Sequence, residues 1–187
     1  MATNTTWTVA EYLALDEPDG PHFELSEGEL LMSPSTTFTH NELRHLIEQA
    51  LRAYFGNQPR GFVTSETDFL LGPATIRRPD VAVILAPRFR PEYRNQIPIP
   101  VAPDLAIEVV STHDRPGALE KKTSQFLAAG TQAVWRVYSE RREAQRFSPA
   151  SSAADLRRAA LGQALDEPSL LPGFTLALTE LFPPEPD

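Results

Sequence analysis

The 187-residue chain has no cysteine. That absence excludes a disulfide framework, a thiolate nucleophile and a cysteine-ligated zinc or iron–sulfur site. No stretch approaches the roughly 18 apolar residues of a membrane span. The first residues, from Met1 to Leu13, lack the basic start and apolar core of a secretory signal, so a cytoplasmic protein is expected. Lysine is almost missing: 15 of the 17 basic residues are arginine, and the two lysines, Lys121 and Lys122, are adjacent. A compact ammonium can have its pKa moved, whereas a guanidinium stays charged, so a lysine in an arginine-rich chain draws attention. Bases are also missing from residues 1–30 and 166–187, which hold 12 of the 25 acids. Residues 31–165 then balance at +4, although the whole chain carries −8. A polyanionic partner is therefore not excluded by the net charge.

What is present fits a globular chain, with 41% hydrophobic and 22% charged residues. Length predicts a single domain, taken as residues 1–182 with a flexible acidic tail over 183–187. Thr8 and Glu11 form a capping box opening a short helix that runs to about Leu15. Phe23–Ser26 and Glu29–Ser33 flank Glu27-Gly28 and predict a two-residue hairpin pairing Glu24 with Leu31. Phe23, Leu25, Leu30 and Met32 then share one face. A second capping box, Thr39 to Glu42, starts a helix carrying Leu43, Leu46, Ile47, Ala50, Leu51 and Tyr54 at helical spacing. Strands are expected at Phe62–Leu71 and Ile76–Leu85. A proline-rich loop or flap follows over 86–103, and the apolar run Leu105–Val110 reads as a buried strand. A helix from Pro116 to Ala129 and the strand pair Ala133–Tyr138 and Glu143–Phe147 complete the pattern. Residues 148–169 give no clear pattern. The fold class expected is α/β (α+β) with a central mixed sheet flanked by helices.

Charge on apolar elements marks candidates. Asp80 opens the apolar strand VAVIL, and Glu108 interrupts LAIEVV; an ionised carboxylate in a covered strand requires a metal, a cation or hydrogen bonds. An ion pair to Arg77 or Arg78 is the plain structural alternative. At about 100° per residue, Lys122 falls at the edge of the apolar stripe of its helix and Lys121 faces solvent. The same projection puts His40 on the buried stripe of its helix and His45 outside.

The series ELSEGEL, SPSTTFTH, RRPDVAVI, DLAIEVVS, a lysine helix ending FLAAG, AVW and LPGF resembles the Uma-two family of putative restriction endonucleases, a branch of the PD-(D/E)XK nuclease superfamily. The resemblance runs from about Thr8 to Phe182. It implies a restriction-endonuclease-like core and metal-dependent hydrolysis of DNA phosphodiesters. Asp80 matches the Pro-Asp aspartate and Glu108 the (D/E) position. Val110 stands where the usual lysine would be, and Lys122 matches a lysine moved to the following helix. Glu24 matches the early acid and His40 the histidine opening the next helix. Family acids are replaced by Ala118, Ala133 and Tyr138. On this resemblance the catalytic set is Asp80, Glu108, Lys122, Glu24 and His40.

Oxygen ligands from Asp80 and Glu108, with the Val109 carbonyl, suit Mg²⁺ or Mn²⁺. Arg77, Arg78, Arg88, Arg90 and Arg94 outnumber Asp80 and Glu92 and suggest a basic flap facing DNA. No aromatic-interleaved platform for single strands and no recognition-helix motif is visible. A homodimer pairing two sites is expected by analogy. The alternative is a non-catalytic DNA- or partner-binding module on a nuclease scaffold.

Overall fold

The computed structural model describes residues 6–15, 22–33, 35–57, 60–112, 114–151 and 153–182. The tail expected over 183–187 lies outside the described residues. Three apolar stripes decide the architecture. The alternation of Leu105–Val110 (β7) sends Leu105, Ile107 and Val109 to one face and Ala106 to the other. The first face packs against helix Phe38–Phe55 (α2) through Leu43, Ile47, Leu51 and Phe55. The second packs against helix Pro116–Ala128 (α3) through Phe126. A sheet covered on both faces reads as continuous apolar sequence, which is why all six residues of β7 are buried.

That sheet has six strands. Its central members are Gly61–Ser65 (β3), Val81–Leu85 (β6), β7 and Ala133–Tyr138 (β8); Glu143–Phe147 (β9) and Asp155–Arg158 (β10) extend it. The spatial order is β10-β9-β8-β7-β6-β3, and β7 and β8 are parallel while the other pairs are antiparallel. The α3 crossover joins the parallel pair, as such a connection requires. The expected mixed sheet flanked by helices is what the chain forms.

A second sheet has the order β2-β1-β5-β4, from Phe23–Ser26 (β1), Glu29–Met32 (β2), Phe69–Gly72 (β4) and Thr75–Arg77 (β5). Helix Val9–Leu13 (α1) covers it through Tyr12, which packs with Leu25 and Ile76. Thr8 caps α1 with Glu11 in the expected box. The hairpin register is the expected one, with Glu24 opposite Leu31. Its turn needs positive φ at both positions, 54° at Glu27 and 83° at Gly28. A Cβ at Gly28 would also lie 2.4 Å from the Thr6 methyl, so glycine is required twice over.

Three expectations are corrected. The strands expected at 62–71 and 76–85 each divide between the two sheets, because Glu66 adopts φ 50° and Pro79 interrupts the second run. The cap of α2 is Thr37, whose hydroxyl accepts from the His40 amide; Thr39 is inside the helix. Met32, opposite Phe23, shares the Leu25 face by register, at an end where it is 64% exposed. The proline-rich segment is tied down rather than a free flap. Its Ile99 exchanges backbone hydrogen bonds with Asp68 and Leu70 at 2.8 and 2.9 Å, and buried Asp104 accepts from the Leu85 amide and from Arg88. Residues 148–169 hold β10 and the strand Ala164–Asp166 (β11). The latter pairs with Thr175–Ala177 (β12), which leads into helix Leu178–Leu181 (α4). Their apolar residues join the α2 side of the core. No helix among the described residues is long and apolar enough to cross a membrane.

Candidate active site

The two sheets meet where β5 passes into β6 through Arg78, Pro79 and Asp80. A cleft of about 240 Å³ opens at this junction, lined by Glu24, His40, Glu66, Asp80, Glu108 and Lys122 among others. Each comes from a different local cause. Glu24 sits on β1 opposite Leu31, on the face away from Tyr12. His40 is in the first turn of α2, held inward by the Thr37 cap. Glu108 is on the α3 side of β7 because its parity in the strand is that of Ala106. Lys122 faces the sheet from α3, while Lys121 points outward to Glu27 at 3.1 Å.

The hydrogen bonds are dense. The Asp80 carboxylate lies 3.0 Å from His40 Nε2 and accepts from the Val109 amide at 2.6 Å. Lys122 Nζ reaches three acceptors: the Arg78 carbonyl at 2.8 Å, Glu108 Oε2 at 2.9 Å and Glu24 Oε1 at 2.9 Å. An ammonium has three protons, so this one is fully used. Glu24 accepts in addition from Arg77 at 2.9 Å and from the Arg78 amide at 2.7 Å. One atom stands apart. Glu108 Oε1 is buried and has no hydrogen-bond partner. A buried carboxylate oxygen left so is costly unless a ligand completes it.

Electrostatics point the same way. Burial pushes Glu108 up to about 8, and the negative charges of Asp80 and Glu24 add to the rise against the opposing pull of Lys122. Burial disfavours the Lys122 ammonium, but Glu108, Glu24 and Asp80 more than offset it and hold its pKa above the usual lysine value. Burial raises Glu24, yet Lys122 and Arg77 outweigh it and leave its carboxyl below the usual range. Burial also works against the His40 imidazolium, and the bond to Asp80 overcomes it, so the His40 pKa is raised. The carboxylates thus crowd one another around a single ammonium, and a divalent cation would relieve that crowding.

The donor set fits such a cation. Asp80 and the idle oxygen of Glu108 are hard ligands on the cleft. Ligand atoms of His40, Glu66 and Asp80 also lie within 4.8 Å of one another. Glu66 escaped the sequence reading. Its side chain is held by Arg44 at 2.7 Å and its amide by the Asp80 carbonyl at 3.3 Å, links of long sequence separation that no local pattern announces.

The cleft therefore brings together Asp80, Glu108, Lys122, Glu24 and His40, and Val109 lines it too. Neither acid pairs with Arg77 or Arg78, the plain alternative in the sequence. The five arginines do not form one basic surface. Arg77 is 2% exposed and bound to Glu24, Ser26 and Gln125. The Arg78 guanidinium forks onto Asp68 at 2.7 and 3.1 Å. Arg88 bonds Asp104 and the Ala102 carbonyl. Arg90 and Arg94 are exposed. In the first three, acidic partners distant in the chain claim the guanidinium, although Arg77 and Arg78 also line the cleft.

A family model described as "Putative restriction endonuclease" matches residues 9–179. Among solved structures, the chain is similar to a putative nuclease belonging to DUF820 from Anabaena variabilis ATCC 29413. The TM-score is 0.84 at 21% identity, covering 94% of this chain and 97% of that one. No curated protein matches.

Proposed function

Because the chain belongs to the Uma2 family of putative restriction endonucleases, we propose that it is a cytoplasmic, divalent-metal-dependent DNA endonuclease, carried on one domain over residues 1–182. One observation supports this reading above the others: buried Glu108 Oε1, without a hydrogen-bond partner, in a cleft shared with Asp80, Lys122 and His40. Asp80 and Glu108 would hold the ion, with Val109 beside them. Their oxygens suit Mg²⁺ or Mn²⁺ better than zinc. When bound, such an ion neutralises phosphate charge and lowers the pKa of a coordinated water.

The other residues prepare that site. Lys122 binds Glu108 by Oε2, which leaves Oε1 for the ion, and keeps a positive charge where an anionic phosphate must approach. Glu24 is a positioning residue, since its carboxylate holds the Lys122 ammonium from the opposite side. His40 fixes the orientation of Asp80 through Nε2 and spreads that carboxylate's negative charge. Ala118, on the cleft wall, adds no acid to it. A homodimer would supply two such sites, one for each strand of a duplex.

The test is conversion of supercoiled plasmid in Mg²⁺ or Mn²⁺. The wild type should nick or linearise it. Asp80→Asn and Glu108→Gln should each slow cleavage by more than about a hundredfold while keeping a folded circular-dichroism spectrum. Undiminished cleavage by both variants would sink the assignment.

A further inference from the structure

Taking the nuclease reading as its premise, we propose that a second pocket beside the cleft stacks an unpaired nucleobase of the substrate strand. The preferred substrate is then nucleic acid with a single-stranded or splayed segment next to the scissile phosphate.

This pocket has a volume of about 640 Å³ and lies along β3, the outer strand of the six-stranded sheet. Its wall is aromatic. Phe62 of β3 and Phe89 of the proline-rich segment stack with centroids 3.8 Å apart and planes at 28°. Tyr93 meets Phe89 edge-on at 6.1 Å. The exposed guanidinium of Arg94 lies 5.3 Å from both phenylalanine centroids. Arg52, from the last turn of α2, lines the same space with its side chain 55% exposed and its guanidinium paired with Glu48 at 2.7 Å, which leaves Arg94 as the wall's charge without an ion pair among the described residues. Aromatic faces beside arginines are the chemistry that holds a flat heterocycle attached to a phosphate. The rings and guanidinium planes stack on it, and the charges attract the backbone.

The position ties the pocket to the cleft. Thr64 and Thr67 line the pocket and share a hydrogen bond at 2.6 Å, while Glu66 between them lines the cleft. From Ser65 to Phe62 the strand rises about 10 Å. A strand whose phosphate sits at Asp80 and Glu108 can therefore lay a neighbouring base on the rings. A base paired inside a duplex cannot, because its faces are already stacked. The platform was invisible in the sequence because Phe62, Phe89 and Tyr93 are brought together only by the fold.

The experiment is fluorescence anisotropy with the full chain in EDTA, where cleavage is off. The probes are a single-stranded oligonucleotide of about 12 nucleotides carrying 2-aminopurine and the same sequence fully paired. Arg94→Gln and Phe89→Leu should each weaken single-strand binding about tenfold and change duplex binding less than about twofold. Wild type should quench the 2-aminopurine, and Phe89→Leu should restore its emission. If Phe89→Leu melts at a lower temperature, Arg94→Gln alone decides. Unchanged single-strand binding, equal loss for both probes, or a changed oligomeric state in place of changed binding overturns the pocket assignment. Plasmid cleavage by the wild type in Mg²⁺ is scored separately. Stacking without cleavage would remove the nuclease reading and leave the pocket standing, whereas cleavage without stacking would remove the pocket alone.

Discussion

Two of the buried glutamates, Glu167 and Glu108, lead opposite lives. Glu167 is 3% exposed, and both its oxygens accept from Arg146 at 2.6 Å in a two-pronged pair. Glu108 is 8% exposed, and only one of its oxygens is bonded, to Lys122 at 2.9 Å. The first pair closes on itself at the end of β9, against the apolar C-terminal segment. The second opens on a cleft that the carboxylates of Glu24, Glu66 and Asp80 also line, and it keeps an idle oxygen. A closed pair anchors a fold, since every donor and acceptor is used. A pair left half-complete has unspent coordinating capacity, and that is what a metal site requires before its ion arrives.

The sharpest way to break the contrast is to neutralise each acid in turn. Glu108→Gln should lower plasmid cleavage by more than about a hundredfold, with the melting temperature held or raised, because burial already disfavours the ionised form. Glu167→Gln should do the reverse. It leaves Arg146, whose side chain is 23% exposed, with only the longer ion pair to Asp155 at 3.6 Å, and should lower stability by about 2 kcal/mol in denaturant unfolding, with cleavage per folded molecule unchanged. Equal behaviour of the two variants would dissolve the distinction. Next in size, Lys122→Arg keeps the charge but replaces a three-proton point donor with a planar fork that cannot meet the Arg78 carbonyl, Glu24 and Glu108 together. Cleavage should fall about tenfold, and retention of the full rate would show that only charge matters there.

The smallest effect belongs far from either glutamate. Thr8→Ala removes the α1 cap and should cost about 1 kcal/mol in denaturant unfolding. Its partner Glu11 has a carboxyl held below the usual range by the Thr8 amide and hydroxyl. The stability that this bond adds is therefore present above about pH 4.5 and is lost as pH falls through the lower folded value. The gap between wild type and Thr8→Ala should narrow in acid without closing, because the Thr8 hydroxyl still accepts from the Glu11 amide when the Glu11 carboxyl is protonated; a gap that widens in acid would contradict the cap.

Local signals were legible wherever a residue's place depends on its neighbours in sequence. The register of the β1–β2 hairpin follows from Glu27-Gly28, and the inward faces of Lys122 and His40 follow from helical spacing. What depends on distant partners was not. Nothing near Arg78 tells that Asp68 claims its guanidinium, nor near Arg88 that Asp104 does. Glu66 joins His40 and Asp80 only because β3 and β6 are neighbours. The division of 62–71 and 76–85 was hidden for a related reason: alternation is the same in either sheet, and only Glu66 and Pro79 mark where the chain changes sheets. The cap of α2 was misplaced by two residues because Thr36, Thr37 and Thr39 are chemically alike. The cleft's acids and lysine were thus visible one by one, while the idle oxygen that sets Glu108 apart needed the structure.

The most direct test of that difference is calorimetric titration of Mn²⁺ into metal-free wild type, Glu108→Gln and Glu167→Gln. The account predicts saturable binding to the wild type and to folded Glu167→Gln, and its loss in Glu108→Gln. Binding by Glu108→Gln equal to the wild type, or none by the wild type, would contradict it.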